Sequence, residues 1–209
     1  SKISGNGTFR FRTESTEPDF YQLGLSETNY ANLLAEPGEK IRIDFADTNL
    51  YRNYTVTGSK GSELLQILDL KLIETKQQLD SISALYIKAS GQPDFAERGP
   101  VLEEEYLKIA REQRNFNIAF ILENMKSLSS IKALYQEIEE GTYVLYEPRD
   151  LQYLKIVTDS LKKYYPASKH TKALAGNFEK ELNEFNARRL QAATNDIPET
   201  ILDPDLKDI

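Results

Sequence analysis

The chain has 209 residues, 40 % of them hydrophobic and 28 % charged, with a net charge of −7. It contains no cysteine, no tryptophan and one histidine, His170, so disulfides and thiolate metal sites are excluded and any imidazole chemistry rests on one residue. The acidic balance opposes phosphate backbones and anionic lipid surfaces, and no run approaches the ~18 apolar residues of a membrane-spanning helix.

Residues 7–57 read as β structure. Thr8-Phe9-Arg10-Phe11-Arg12 alternates apolar and polar, which predicts a strand with one wet face. Phe20 to Leu25 alternates again. A third run, Ala31 to Ala35, closes at Glu36-Pro37-Gly38-Glu39, where proline presets one φ and glycine accepts a positive one. Lys40 to Phe45 alternates, and Tyr54-Thr55-Val56-Thr57 is a last short strand before Gly58-Ser59-Lys60-Gly61. Short strands separated by turn signals predict a small antiparallel sheet or meander over residues 1–60.

The period then becomes helical. Ser62 is expected to cap a helix whose stripe is Leu64, Leu68, Leu72, Leu79, Ile82 and Tyr86, with Thr75 filling the gap. Ser90-Gly91-Gln92-Pro93 breaks it. A second helix is expected over about 98–124, with Leu102, Tyr106, Ile109, Phe116 and Phe120 on one face and Gln113 interrupting it; the two stripes predict an antiparallel pair. Ser127 is expected to cap a third helix through Leu128, Ile131, Leu134 and Tyr135, closed by Glu137, Glu139 and Glu140 and ended by Gly141. Tyr143 to Tyr146 reads as a short extended stretch. A fourth helix opens at Pro148 or Asp150, carries Leu151, Leu154, Ile156, Val157 and Leu161, and stops at Tyr164-Tyr165-Pro166. A fifth starts near Ser168, faces Leu174, Phe178, Leu182 and Phe185 inward, and runs out around Ala193. The fold class is therefore α+β: a small antiparallel β domain over 1–60, about five helices over 61–193, and a linker over 194–209. That tail holds two prolines, five acids and one lysine, and Ile197, Ile201 and Leu202 are expected to dock on a helix or on another molecule. The polar start, Ser1-Lys2-Ile3-Ser4-Gly5, does not read as a signal peptide.

The chemistry-bearing residues fall into ordinary patterns. Glu103-Glu104-Glu105 suits the positive end of a helix dipole, with ion pairs expected from Glu104 to Lys108 and from Lys108 to Glu112. Nothing singles out two carboxylates facing across a cleft. Ala167, not glutamate, stands three residues before His170, so the Glu-x-x-His repeat of carboxylate metal bundles is absent, and His170 reads as an exposed or capping residue. No serine sits in a Gly-x-Ser-x-Gly elbow. Gly58-Ser59-Lys60-Gly61-Ser62 lies between a strand and a helix and invites a phosphate-loop reading; it lacks the Walker spacing, and a tight turn with a helix cap accounts for it better. Tyr30, Tyr51, Tyr54, Tyr143 and Tyr146 lie at turns or strand ends and are candidates for a binding surface. No catalytic, cofactor-binding or metal residue is assigned, and no cofactor is expected.

Several segments in order carry a family resemblance: Gly7-Thr8-Phe9-Arg10-Phe11, Phe20-Tyr21-Gln22-Leu23, Leu34-Ala35-Glu36-Pro37-Gly38-Glu39-Lys40-Ile41, and Val56-Thr57-Gly58-Ser59-Lys60-Gly61-Ser62-Glu63-Leu64. Together they resemble the N-terminal DUF4369-type domain of thioredoxin-like lipoproteins from Bacteroidetes. Asn124-Met125-Lys126-Ser127-Leu128 resembles that family's Asn-Pro-x-Ser-Leu step, with Met125 in place of the proline, and Tyr164-Tyr165-Pro166-Ala167-Ser168 resembles the turn before its last helix. The resemblance covers about residues 5–190. It implies that a thioredoxin fold with a Cys-x-x-Cys pair follows, and that this chain is a non-catalytic accessory region cut before that fold. The implied place is the cell envelope or periplasm, with membrane attachment only through a lipid anchor outside this chain. The implied partners are proteins, a second copy, or the C-terminal thioredoxin-like domain of the same gene, and no nucleic acid. The alternative is a stand-alone envelope module binding glycan or peptide.

Overall fold

The computed structural model describes residues 7–195. Its strands are β1 (Asp19–Ser26), β2 (Asn29–Ala35), β3 (Arg42–Phe45), β4 (Tyr54–Thr57), β5 (Glu137–Glu139) and β6 (Thr142–Tyr143). Its helices are α1 (Lys60–Ala89), α2 (Phe95–Asn124), α3 (Ser129–Leu134), α4 (Leu151–Tyr164) and α5 (Lys169–Asn195), with a 3-10 turn at Pro148–Asp150. This is the expected α+β class. By its internal contacts the chain divides into two compact units, Ser1–Leu145 and Tyr146–Ile209.

In the first unit the strands pair antiparallel as β1–β2 and β3–β4, in two separate ladders. Phe20 stands opposite Leu34, and Ile43 opposite Val56. The ladders do not merge into one sheet because the far side of β2 is already taken. The Leu34 N–H donates to Ser62 Oγ at 3.1 Å, and the Leu34 carbonyl accepts from the hydroxyls of Ser59 (2.8 Å) and Ser62 (3.0 Å). A helix start thus satisfies the groups that a third strand would otherwise use. Ala31, Tyr54 and Val56 form a core shared by the two ladders, joined by Leu33, Ile41, Ile43 and Phe45. The Asn29 side chain ties β2 to the turn before β4, donating to the Thr48 carbonyl (2.7 Å) and accepting from the Leu50 N–H (2.8 Å).

The strand expected at Thr8–Arg12 joins no ladder among the described residues. Alternation supplies the two faces of a strand and does not by itself fix its pairing. Along β2 the Leu34 groups belong to α1, and along β4 the Tyr54 carbonyl accepts from Gln66 Nε2.

α1 begins three residues earlier than a cap at Ser62 would place it. Its cap is Ser59, whose Oγ accepts from the Ser62 N–H at 3.3 Å, and Ser62 itself sits in the first turn. α1 and α2 form a helical hairpin, and a second core gathers Leu79, Ile109, Ile138 and Val144 with Leu72, Ile82, Tyr106 and Ala110. The cap position of α3 falls on Leu128, one residue after the expected Ser127, whose Oγ accepts from the Ser129 N–H at 3.2 Å just ahead of the helix. α3 then ends at Leu134, and the expected closing acids lie elsewhere: Glu137 and Glu139 are on β5, and Gly141, at φ +76°, makes the turn to β6. The cause is Gln136, which is buried and whose carbonyl accepts from the Val144 N–H at 2.8 Å. The chain therefore folds back as a hairpin and buries Ile138 and Val144.

In the second unit the Glu147 N–H donates to Asp150 Oδ2 at 2.9 Å, forming a capping box around Pro148. α4 ends where the Tyr165 N–H reaches the Leu161 carbonyl at 2.7 Å, one residue before Pro166. Ser168 opens α5, its Oγ accepting from the His170 N–H at 3.2 Å. α4 packs on α5, and Leu154, Val157, Leu161 and Leu174 are buried. The linker expected from residue 196 onward, with Ile197, Ile201 and Leu202, lies outside the described residues, as do residues 1–6.

Candidate functional site

The strand–helix junction is the segment closest to a ligand loop, and the structure shows what its groups do. Gly58 adopts φ +83°, which lets β4 turn into α1. Both hydroxyls of the loop serve Leu34, as described. Two of the first-turn amides are also occupied: Ser62 N–H goes to Ser59 Oγ, and Glu63 N–H goes to the Ser59 carbonyl at 3.0 Å. A phosphate cradle needs outward, unsatisfied N–H groups at a helix start. Here Ser59 and Ser62 are 2 % and 0 % exposed, and a Cβ on Gly61 would come within 2.8 Å of the Leu34 side chain. The junction is a clasp between β2 and α1, and the tight-turn reading is the correct one.

The acids of α2 form a solvated face, as expected, with different partners from those expected. Glu104 pairs with Arg111 at 2.7 Å and Lys108 with Glu105 at 3.7 Å. The long arginine reaches two helical turns, so it displaces the shorter-range lysine pairings. Glu103 accepts from the Tyr86 hydroxyl at 3.0 Å, which holds that phenol's pKa above its ordinary value. Glu74, Glu105 and Glu112 rim an open groove of about 460 Å³ between α1 and α2, floored by Ile82 and Ile109.

Deeper in the same hairpin lies a buried amide network. Thr75 Oγ1 donates to Gln113 Oε1 at 2.6 Å, and Gln113 Nε2 donates to Asn117 Oδ1 at 2.8 Å. Asn117 Nδ2 donates to the Ala133 carbonyl (2.8 Å) and to Gln136 Oε1 (2.9 Å). Gln136 Nε2 donates to the Leu68 carbonyl at 3.1 Å. The four side chains are 0–3 % exposed, so α1, α2, α3 and β5 are joined by hydrogen bonds that water does not share. None of the four titrates, so the cluster fixes geometry and moves no proton. Thr75 and Gln113 are the two breaks in the apolar stripes, and they meet each other. Asn117 and Gln136 were missed; the signal for Asn117 is a second polar residue one turn after Gln113 on the inward face.

Beside it, Asp69 on α1 bonds Lys132 of α3 at 2.6 Å and Asn32 of β2 at 2.8 Å. Tyr54, one of the five candidate surface tyrosines, is 5 % exposed and packs on Phe45 with ring centroids 6.0 Å apart. Burial, and then the Asp69 charge, push its hydroxyl pKa far up. Tyr30 is half-buried in β2. Tyr51 in the β3–β4 turn, Tyr143 on β6 and Tyr146 just before the 3-10 turn are exposed. His170 is half-buried in the first turn of α5, the capping-end placement read from sequence.

Asp47 shapes the β3–β4 turn by accepting from the Asn49 N–H (2.6 Å) and from Asn53 Nδ2 (2.7 Å). These bonds, the backbone one first, hold its pKa below the ordinary 3.8. A folded pKa below the unfolded one means that Asp47 stabilises the turn above its unfolded pKa and loses that contribution as pH falls through the folded value. A carbon-detected NMR titration is expected to give Asp47 a midpoint below 3.8, and a midpoint at or above it would remove this account of the turn.

Among the described residues no group of three or more His, Asp or Glu side chains stands ready to hold a metal ion, and no helix is long and apolar enough to cross a membrane. No curated protein and no solved structure matches this chain. The segment that holds the β1–β2 and β3–β4 ladders, the clasp and the start of α1 does match a family model: residues 1–65 are similar to DUF4369, described as a domain of unknown function.

Proposed function

We propose that this chain is the non-catalytic N-terminal region of a cell-envelope thioredoxin-like thiol:disulfide oxidoreductase, serving partner recognition, dimerisation or placement of the redox domain. The observation that carries the reading is the DUF4369 match, because it falls on the segments from which the resemblance to thioredoxin-like lipoproteins was drawn. The structure is compatible with a scaffold role. The hydroxyls most suited to a ligand loop hold β2 to α1, and the buried polar cluster of the α1–α2 hairpin joins its helices through groups that carry no charge. A cysteine-free region also cannot form mixed disulfides with the thiolate of a redox partner.

The test is the reading frame that encodes the chain. It is expected to continue past Ile209 into a segment with a Cys-x-x-Cys pair within one domain length of about 100–150 residues. A stop codon near Ile209, or a following domain without that pair, overturns the reading and favours a stand-alone module.

A further inference from the structure

We propose that the groove between α1 and α2 receives an amphipathic helix of a protein partner, apolar along one stripe and rich in lysine or arginine beside it. The groove is floored by Ile82 and Ile109 and rimmed by Glu74, Glu105 and Glu112, with Gln77, Gln78 and Ser81 completing the α1 wall. Neither lysine nor arginine lines it. Lys71 and Lys108 pair from outside with Glu74 (3.2 Å) and Glu105 (3.7 Å), and Glu112 makes no ion pair. Exposed pairs of this kind hold weakly, so the rim is open to a competing cation.

Apolar side chains extend the groove past its acids. Glu74, Gln78, Ser81 and Leu85 recur at three- and four-residue spacing on one face of α1, and Ile67 stands two turns before Glu74 on that face. Val101 stands one turn before Glu105 on the matching face of α2. The hairpin brings Leu85 and Val101 to the same end. Thr75 meets Gln113 midway, and nearer the turn Tyr86 reaches Glu103 with its hydroxyl and Phe95 with its ring, 5.2 Å between centroids. Ile67, Leu85 and Val101 are 48 %, 47 % and 67 % exposed. From Ile67 to Leu85 the face runs about 27 Å, the length of a helix of about 18 residues. Two antiparallel helices with an apolar seam between them accept a third helix along it.

Charge selects the occupant. A second copy seated groove to groove would set the same three carboxylates against these three. Anionic lipid is repelled by the same rim. The chain's own segment over 194–209 carries five acids and one lysine, the wrong sign again. A partner helix with cationic flanks meets both features at once: its apolar stripe covers Ile82, Ile109, Leu85 and Val101, and its flanks reach Glu74, Glu105 and Glu112. The groove, and not the redox reading above, carries this proposal. A reading frame that stops near Ile209 leaves it standing, and its own failure leaves that reading standing.

The probe is a labelled helical peptide of about 18 residues, leucine on one stripe and lysine elsewhere, with a leucine–glutamate peptide of the same pattern beside it. Fluorescence anisotropy is expected to give a micromolar Kd for the lysine peptide and no binding for the glutamate peptide. The Glu74→Gln, Glu105→Gln, Glu112→Gln triple variant is expected to bind the lysine peptide about tenfold or more weakly, and Leu85→Ser with Val101→Ser to weaken it similarly, all with unchanged circular dichroism because these side chains are exposed. The control removes three exposed acids that do not line the groove, Glu27→Gln, Glu140→Gln and Glu179→Gln, and is expected to bind within about twofold of the unaltered chain. NMR shifts on binding are expected at the Ile82 and Ile109 methyls. Failure of the lysine peptide to bind overturns the proposal, as does equal binding of the glutamate peptide. Equal loss in the control triple would reduce the effect to net charge and overturns it too. A doubled mass in light scattering that the Leu85→Ser, Val101→Ser variant abolishes would give the groove to a second copy, against the proposal.

Discussion

Alanine at Gly58 is expected to cost about 3–5 kcal/mol, enough to remove much of the stability of an ordinary domain. Two effects add. At φ +83° a Cβ is strained by about 1–2 kcal/mol. The new carbon would also stand 2.3 Å from the Lys40 carbonyl oxygen, a backbone atom at the entry to β3 that cannot rotate aside. Backbone movement at the junction is blocked on its other side, where Ser59 and Ser62 are hydrogen-bonded to Leu34. Gly38→Ala is the control. Gly38 has nearly the same φ, +85°, with nothing within 4 Å of its ideal Cβ, so it is expected to lose only about 1 kcal/mol. Urea midpoints for the two variants isolate the clash from the strain. Equal losses would mean that the clasp yields, and that β4 is not fixed against Lys40.

That comparison bears on what the junction is for. A loop that opens to admit an anion must tolerate movement of its glycines and leave donors unoccupied. The junction here is held against both: its hydroxyls close on the Leu34 carbonyl, and the Ser62 and Glu63 amides close on Ser59. Its rigidity sets where α1 leaves the strands, and hence where the long α1–α2 hairpin stands relative to the two ladders of the same unit.

Local chemistry made most elements legible. Pro37-Gly38, Pro148 and Tyr165-Pro166 act within a few residues, so turn and cap rules placed the end of β2, both ends of α4 and the start of α5 well. What escaped depends on contacts between distant positions. Thr8–Arg12 has a strand's pattern but joins no ladder among the described residues, since pairing depends on a partner edge that the pattern does not encode. Glu137 to Glu140 look like a helix end until Gln136 turns inward to meet Asn117, nineteen residues away. Ser62 and Ser59 are equally good caps by residue type, and the choice falls to Ser59 because Ser62 is drawn to Leu34, twenty-eight residues away. The acids of α2 were correctly read as a wet face, but side-chain length, which periodicity ignores, decided their partners. The candidate site was half legible. Thr75 and Gln113 stood out as polar breaks in apolar stripes; Asn117 repeats that break one turn on, whereas Gln136, before β5, lies outside any stripe.

Removing Asn117 is expected to have the second large effect. Asn117→Ala leaves Gln136 Oε1, the Ala133 carbonyl and Gln113 Nε2 without their principal partner in a region closed to water. Unmet buried groups of this kind cost roughly 1–3 kcal/mol each, and partial repacking brings the expected total to about 2–4 kcal/mol. Gln136→Ala is expected to lose a similar amount. The double variant should lose less than the sum, with a coupling of about 1–3 kcal/mol, because the second change removes a group the first had orphaned. A local readout separates this from general weakening: the Val144 amide, held by the Gln136 carbonyl, should exchange faster in Asn117→Ala well before the Leu34 amide does. Additive losses, or equal acceleration at both amides, would show that the four side chains do not act as a unit. Replacing Thr75, Gln113, Asn117 and Gln136 together with apolar residues of similar volume should restore most of the stability, since no buried group is then left unpaired. The hydrogen bonds would then matter less for strength than for the register in which α1, α2 and the β5–β6 hairpin meet, and a repacked core should show that loss as broadened tyrosine side-chain signals at Tyr106 and Tyr143 rather than as a lower midpoint.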